Sequence, residues 1–520
     1  PGEKALLMGN EALVRGAYEA GLDFASCYPG TPSSEVSTLL FGLQKKADFY
    51  MEFATNEKVA TEAAAGAALA GLKSMTSLKH VGLNVAADPL GTLAYMGVRG
   101  AMVIYNADDP GMFSSQNEQD NRHFAPLFNV PMFEPSNAQE MKDMTVAAFE
   151  LSHELGMPVI VRSTTRVAHM RGAVTFGPVA PAQKHVRFER APKEFVSLPA
   201  NARAMHIRLL ERMEKAAEFS EKSPFNVVEG QGTLGVITSS ASVPYVLDAV
   251  RDLGLTDKVA VYRLGMTWPL PEKSIVRFLS TKSKVLVVEE LEPWLENAIK
   301  AIAQAHRLNM PIRGKGTAGL LTRLSEYDPA LVRAALAEYF EVEDIFPDKA
   351  DTNDCPPLPV RPPSLCAGCP HRMTYFAAKQ AAQGMDVIFP NDIGCYTLGF
   401  MPPLQMADTV LCMGASVSVP AGLGYAVKES GQKILAFIGD STFFHSGMTG
   451  LVHAVFNKHK FTLVILDNQI TAMTGHQPSP AMDSQGTDLN PVDIEAVVRG
   501  LGVKHVQVVR PANLKKTTAA

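Results

Sequence analysis

A chain of 520 residues is too long for one ordinary core, and at roughly 150 residues per domain about three domains are expected. Apolar residues make up 46% of it and charged residues only 19%, below the roughly 25% charge of a typical soluble domain, which points to surface hidden in subunit contacts and so to an oligomer. The net charge of -5 with interspersed acids and bases gives no reason to expect nucleic acid or an anionic membrane as a partner, and the longest apolar runs, such as Ala63 to Leu72, are too short to cross a bilayer.

The first residues, PGEKALLMGNEALVRGAYEAG, lack a signal peptide's basic start and apolar core, so a cytoplasmic location is expected. FASC at Phe24 reads as a strand that runs into YPGTPSSE at Tyr28, where Pro-Gly marks a turn and the serines suit a helix start. Asn56 and Glu57 precede KVATEAAAGAALAG, a helix of small residues for which Asn is a good cap and Glu a favoured first-turn acid. Strand-like runs follow at Ala101 (AMVIYNADD), Met157 (MPVIVRSTT), Thr233 (TLGVITSSA), Lys284 (KVLVVEELE), Lys433 (KILAFIGDS) and Phe461 (FTLVILDNQ). They alternate with helical stretches, which predicts α/β domains with mainly parallel sheets. Several end in polar or glycine-containing loops, the place where open α/β sheets bind ligands.

Two stretches without a clear period, from Arg171 and from Phe346, are rich in Gly, Pro and charge or in proline, and predict extended connections. They divide the chain at 1–170, 200–345 and 362–520. Six cysteines are too few for a disulfide scaffold, and Cys355, Cys366, Cys369 and Cys395 fall in one stretch. That pattern favours a reducing compartment and raises the prospect of a metal.

The densest chemistry lies in the last domain. Gly439, Asp440 and Ser441 follow KILAFI, and Asp467 and Asn468 follow FTLVIL, so two strand ends present Asp440 and Asn468 close together. Mg²⁺ takes near-octahedral oxygen ligands at about 2.0–2.1 Å, often one or two carboxylates plus phosphate and water. Asp440, the Asn468 side chain and the Ile470 carbonyl would form such a set around a diphosphate. Taken singly, Asp440 reads equally well as a helix cap and Asn468 as a turn residue.

With TAMTG at Thr471, this pattern resembles the thiamine diphosphate motif, Ser441 standing in place of its third glycine. GDSTFFHSG from Gly439 and DNQITAMTGHQP from Asp467 resemble the large subunits of indolepyruvate ferredoxin oxidoreductases, within the 2-oxoacid:ferredoxin oxidoreductase superfamily. YPGTPSSE (Tyr28), NEKVA (Asn56), KHVGLNVAADP (Lys79), SSQNEQDNR (Ser114), CAGCPHR (Cys366) and DIGC (Asp392) stand in that family's order. The resemblance implies two thiamin-diphosphate-binding-fold domains, pyrimidine-binding at 1–170 and diphosphate-binding at 362–520, flanking a transketolase C-terminal-like domain at 200–345. Thiamine diphosphate and Mg²⁺ are then expected between the first and last of them. The last domain is expected to be incomplete at its C-terminal end, since the family's large subunit continues into a ferredoxin-like tail.

By the same resemblance Gly394, Cys395, Gly414, Gly439, Asp440, Ser441, Asn468, Thr471, Ala472 and Met473 contact the cofactor, and Glu57 hydrogen-bonds the pyrimidine N1′ to assist loss of the C2 proton. Glu52 and Glu62 are local rivals, Glu62 lying about 140° from Glu57 around an ideal helix. Thr31 and Gln116 are implied as carboxylate-binding residues, Gln116 standing where relatives use arginine and Arg122 being left as the charge partner. His80 and His445 are implied as proton or hydrogen-bond donors near the cofactor, although FFHSG could equally pack its histidine against Phe443 and Phe444.

Cys366, Cys369 and Cys395 match three of the four thiolates that hold a [4Fe–4S] cluster in relatives. Cys412, in TVLCMG, reads as a buried strand residue, so a cluster, a zinc ion and no metal all stay open. Trp268 and Trp294 are expected in core or an interface. The implied activity is oxidative decarboxylation of an aryl 2-oxoacid to an aryl-acetyl-CoA, with coenzyme A as co-substrate. Electrons would pass to ferredoxin or another acceptor, in a hetero-oligomer such as (αβ)₂ with a small β subunit. The competing readings are a non-oxidative decarboxylase or other thiamine-dependent lyase, and a non-catalytic scaffold, the last favoured if Glu57 faces solvent.

Overall fold

Eight consecutive buried residues, Ala101–Asp108, form an inner strand of a seven-stranded sheet, as suits a strand covered on both faces. The computed structural model describes residues 1–183, 186–316, 319–345, 356–359, 361–482 and 489–520. The sheet runs in the order Met266–Trp268, Met132–Phe133, Val159–Thr164, Ala101–Asp108, Lys73–Lys79, Phe24–Cys27, Tyr50–Phe53. All neighbours are parallel except Met266–Trp268 at the edge. The alanine-rich helix Glu57–Ala70 packs on Phe24–Cys27 and Lys73–Lys79. Asn56 caps it by accepting from the Val59 N–H at 2.9 Å, and Gly71, at φ 111°, ends it in the left-handed conformation that glycine adopts without strain.

A second sheet has the order Ile312–Arg313, Lys284–Val288, Leu234–Thr238, Val259–Leu264, Asn226–Glu229, the last strand antiparallel. The chain leaves Val259–Leu264 and at once adds Met266–Trp268 to the first sheet. Both sheets therefore belong to one compact unit, residues 1–354, and residues 355–520 form another. Trp268 and Trp294 meet edge to face at 6.5 Å, with Trp294 buried in the core of the second sheet. The connection expected from Arg171 starts instead as a strand, Arg171–Thr175, paired antiparallel with Lys4–Met8. Most of the connection expected from Phe346, and Cys355 within it, lies outside the described residues.

The second unit holds a parallel sheet of Val387–Ile388, Lys433–Gly439 and Thr462–Leu466, with helices Pro370–Ala381, Ala415–Ala426 and Met448–Phe456. TVLCMG does not form the expected strand, and Cys412 is exposed. The N–H groups of Gly414 and Ser416 turn onto the buried Asp392 carboxylate at 2.9 and 2.8 Å, which draws this segment out of a ladder. Among the described residues no helix is long and apolar enough to cross a membrane.

Candidate active site

Chemistry-bearing residues collect at strand ends in both units, as expected for open α/β sheets. In the first unit Glu57 opens its helix with a buried side chain. The carboxylate rests on the backbone of Gly82, where an added Cβ would lie 2.6 Å from Oε1. Glu62 is exposed and ion-paired with Lys58. Glu52 is half-buried and accepts from the hydroxyls of Ser26 at 3.1 Å and Tyr50 at 3.2 Å. Burial thus separates Glu57 from its two rivals, and the solvent-facing glutamate that would favour a scaffold is not what the fold provides.

Thr31 is half-buried, its hydroxyl 3.2 Å from that of Ser34, and its carbonyl accepts from the Ser114 hydroxyl at 3.3 Å. Asp109 organises the facing loop, accepting from Ser114 N at 2.9 Å and from the hydroxyls of Ser115 at 2.6 Å and Thr165 at 2.8 Å. Gln116, in the same loop, is exposed. Lys79, the last residue of its strand, passes its stem beneath Gly30 and donates from Nζ to the Ser114 carbonyl at 2.9 Å. Burial pushes its ammonium down to about 8 against the opposing pull of Asp109 and Glu57. Sequence reasoning passed over Lys79 as part of the KHVG motif; its place at the end of a parallel strand was the available signal.

The surroundings of His80 and Arg122 bear on two expectations. Burial, and next the Lys79 charge, hold His80 down at about 4, so its ring is neutral near pH 7. Its Nε2 faces the Asn117 carbonyl at 3.1 Å and so carries the hydrogen, while the buried Nδ1 has no partner among the described residues. In this arrangement the one N–H of the neutral ring is engaged by Asn117. Arg122 is buried and held by protein groups. Its buried guanidinium donates to Asp120 at 2.5 and 2.9 Å, to Glu289 at 2.6 Å and to the carbonyls of Glu290 and Glu292 at 2.9 and 3.0 Å, with the Trp294 ring 5.4 Å away. Every guanidinium nitrogen is engaged by protein, in a web that continues through Arg162 to Asp108 and Glu134.

In the second unit Asp440 follows Lys433–Gly439 and is buried; its Oδ2 accepts from the Ser479 hydroxyl at 2.9 Å. Burial, with a smaller push from Asp467, raises its carboxyl to about 6. The Ser441 and Thr471 hydroxyls meet at 2.8 Å and join the two strand-end loops. Asn468 and Ile470 are half-buried, and the Asn468 amide oxygen accepts from Ile470 N at 3.3 Å. Among the described residues no basic side chain ion-pairs with Asp440. A buried carboxylate beside amide and backbone oxygens is a donor set that fits a hard divalent cation.

Asp392 ties the neighbouring loops together, receiving Ile393 N at 2.8 Å as well as Gly414 N and Ser416 N. Gly414, at φ 87°, has no room for a side chain, because a Cβ would meet Ser446 at 2.6 Å. Gly394 and Gly439 both face the buried Tyr396 ring, which a Cβ would meet at 2.4 and 2.5 Å, a packing reason for both glycines that needs no ligand. Thr471 and Ala472 are half-buried and Met473 exposed in the turn that follows. His445 is buried in a π-helical turn, Phe443–Gly447, with Nδ1 against the Ser446 hydroxyl, while Phe443 and Phe444 pack edge to face on each other.

Comparison with known proteins identifies the family. Residues 15–222 match the pyruvate flavodoxin/ferredoxin oxidoreductase thiamine diphosphate-binding family, and residues 392–520 match the C-terminal TPP-binding domain of thiamine pyrophosphate enzymes. The indolepyruvate oxidoreductase subunit IorA of Methanothermobacter thermautotrophicus is 46% identical over 99% of this chain and 84% of its own length. That of Pyrococcus horikoshii is 43% identical over 99% and 83%. This chain belongs to the indolepyruvate oxidoreductase IorA-subunit family. It is therefore one subunit of an oxidoreductase. A solved 2-oxoglutarate:ferredoxin oxidoreductase from Magnetococcus marinus shares the fold, with TM-score 0.54 and 21% identity over 65% of each chain.

Among the described residues the cysteines of this IorA-family chain do not make a complete cluster site. Burial raises the Cys395 thiol, and Cys369 and Cys366 raise it further, so the three feel one another. Yet among the described residues no three His, Cys, Asp or Glu side chains are grouped to hold a metal ion, and a [4Fe–4S] cluster takes four thiolates. Of the alternatives left open, a [4Fe–4S] cluster on Cys366, Cys369 and Cys395 alone does not fit the described residues.

Proposed function

We propose that this chain is the thiamine-diphosphate-binding large subunit of a cytoplasmic oxidoreductase that acts on an aryl 2-oxoacid of the indolepyruvate kind. In this reading it works with a small β subunit in a hetero-oligomer such as (αβ)₂. The net reaction is 2-oxoacid plus coenzyme A plus two oxidised one-electron carriers of the ferredoxin class, giving acyl-CoA, CO₂, two reduced carriers and a proton. The observation that carries the reading is the buried Asp440 carboxylate at a strand end, beside Asn468 and Ile470 and without a basic partner among the described residues. Family membership supports it.

Asp440, the Asn468 amide oxygen and the Ile470 carbonyl would hold Mg²⁺. Gly394, Cys395, Gly414, Gly439, Ser441, Thr471, Ala472 and Met473 would wall the diphosphate. Thiamine diphosphate, when bound, supplies the carbon nucleophile and the electron sink that decarboxylation needs. Glu57 holds a proton at the pyrimidine N1′, and its burial beside Gly82 keeps that hydrogen bond out of water. Thr31 and Gln116 would donate hydrogen bonds to the substrate carboxylate, and the buried His445 would donate one to the reacting carbonyl oxygen.

The test is release of labelled CO₂ from carboxyl-labelled indolepyruvate by the complex, with and without coenzyme A and a one-electron acceptor. Release that requires both is expected. Acceptor-independent release would assign a non-oxidative decarboxylase, and no release from cofactor-loaded complex would assign a scaffold.

A further inference from the structure

We propose that Lys79 is the cationic contact for the substrate carboxylate and thereby determines the preference for 2-oxoacids over their neutral analogues. The proposal rests on the function proposed above and deepens it. A carboxylate leaving water for a partly dry site needs an ionic or strongly donating partner, and the Arg122 charge is buried and already paired with Asp120 and Glu289. The other cations around the same strand ends are also engaged. Arg162 is paired with Asp108 and Glu134, Arg166 with Glu326, and His169 with Glu35. Lys79 forms no ion pair among the described residues. Of its three N–H donors, one is accounted for, by the Ser114 carbonyl at 2.9 Å.

Asp109 attracts this ammonium, but its oxygens are taken by Ser114, Ser115 and Thr165. The position of Lys79 is built, not incidental. Gly30 precedes Thr31, and a Cβ on it would meet Lys79 Cγ and Cδ at 2.8 and 2.9 Å. The Ser114 hydroxyl reaches the Thr31 carbonyl at 3.3 Å while its own carbonyl receives Lys79. One glycine-sized gap and one serine thus join the lysine head to the threonine loop. An ammonium held at this edge with two uncommitted donors is complementary to a single carboxylate, and the partial loss of hydration that lowers its proton affinity makes an anionic partner more favourable.

The experiment compares wild-type complex with Lys79→Met and Lys79→Arg. Calorimetric titration uses indole-3-propionate, an unreactive carboxylate, and indole-3-propionamide, its neutral match. Lys79→Met is expected to weaken the carboxylate by roughly 10- to 150-fold, the range for hydrogen bonds to a charged group, and to leave the amide within about twofold. Lys79→Arg should recover part of the loss. Wild-type affinity for the carboxylate should also fall as pH rises through about 8, where Lys79 loses its proton. That limb should be absent in Lys79→Met.

The groups facing Lys79 are Asp109, Glu57 and His80. Asp109, where burial is outweighed by hydrogen-bond donors that lower its carboxyl, gains no charge near pH 8, and His80, at about 4, is already neutral there. Equal affinity of wild type and Lys79→Met for the carboxylate would overturn the proposal, as would parallel loss of both ligands, which marks a merely structural lysine. Binding is read without turnover. A complex that binds as expected but releases no CO₂ would therefore refute the function proposed above and leave the role of Lys79 standing.

Discussion

Arg122→Met separates a structural arginine from a substrate-binding one. Removing the guanidinium strands Asp120 and Glu289, whose side chains are both 1% exposed, and breaking a buried pair by deleting one partner costs about 3–5 kcal/mol. The unit concerned has 354 residues. At ~2.1 cal/mol/K per residue its unfolding entropy near 60 °C is about 0.74 kcal/mol/K, so Tm should fall by about 4–7 °C. Differential scanning calorimetry of the purified chain reads this directly, and KM for the 2-oxoacid, measured well below the transition, should stay within about twofold.

The pH dependence adds an independent mark. Burial raises the Asp120 carboxyl, but Arg122 and then Arg162 more than reverse this, leaving it well below the ordinary range. A carboxyl depressed on folding stabilises at pH above its unfolded value near ~3.9 and loses that contribution as pH falls through the folded value. Without Arg122 the burial effect dominates, the folded pKa moves above the unfolded one, and the charged form costs stability as pH rises. The deficit of the variant relative to wild type should therefore narrow between pH 8 and pH 5. A Tm within about 1 °C of wild type, together with a tenfold or larger rise in KM, would place Arg122 at the substrate after all.

Two further outcomes are expected. Asp440→Ala should release thiamine diphosphate on desalting in Mg²⁺ buffer, because a hard cation loses its only charged protein ligand in the proposed set; undiminished retention, by cofactor content per chain, would end the assignment. Glu57→Gln should retain the cofactor yet slow hydrogen–deuterium exchange at its C2 by about 10² or more, and Gly82→Ala, whose methyl would meet Glu57 Oε1 at 2.6 Å, should slow it in the same direction. A collapse of exchange in Glu62→Gln with wild-type rates in Glu57→Gln would move the activating acid to the exposed side of the helix.

How much of this was legible in the sequence depended on how local each cause is. Ala101–Asp108, Lys433–Gly439 and Thr462–Leu466 were readable because each strand carries its own apolar run and ends in its own polar loop. Met132–Phe133 and Val387–Ile388, two residues each, have no such run and exist because a neighbour pairs with them. Arg171–Thr175 was hidden in the same way, since its partner is Lys4–Met8 at the far end of the first sheet's sequence. The place of Asp440 at a strand end and of Glu57 at a helix start could be read because each is a local pattern. Gly439 could be located but not explained, because the ring it accommodates, Tyr396, belongs to another turn, the one that Gly394 opens.

Arg122 and Lys79 show the same principle acting on function. Arg122 stands close in sequence to Gln116, which made it the natural charge partner, yet Glu289 lies 167 positions further on and takes that charge into the interior. Lys79 sits 35 positions from Ser114 and far in sequence from Gly30, and nothing in KHVG says that both will close on its side chain. What assigns either cation is its set of partners: the Arg122 guanidinium is buried between two carboxylates and two carbonyls, whereas Lys79 has one acceptor and no paired carboxylate among the described residues, which leaves two of its three N–H groups. A pattern of residue types can place a cation at a strand end, but whether its charge is available is decided by loops that meet only in the folded chain.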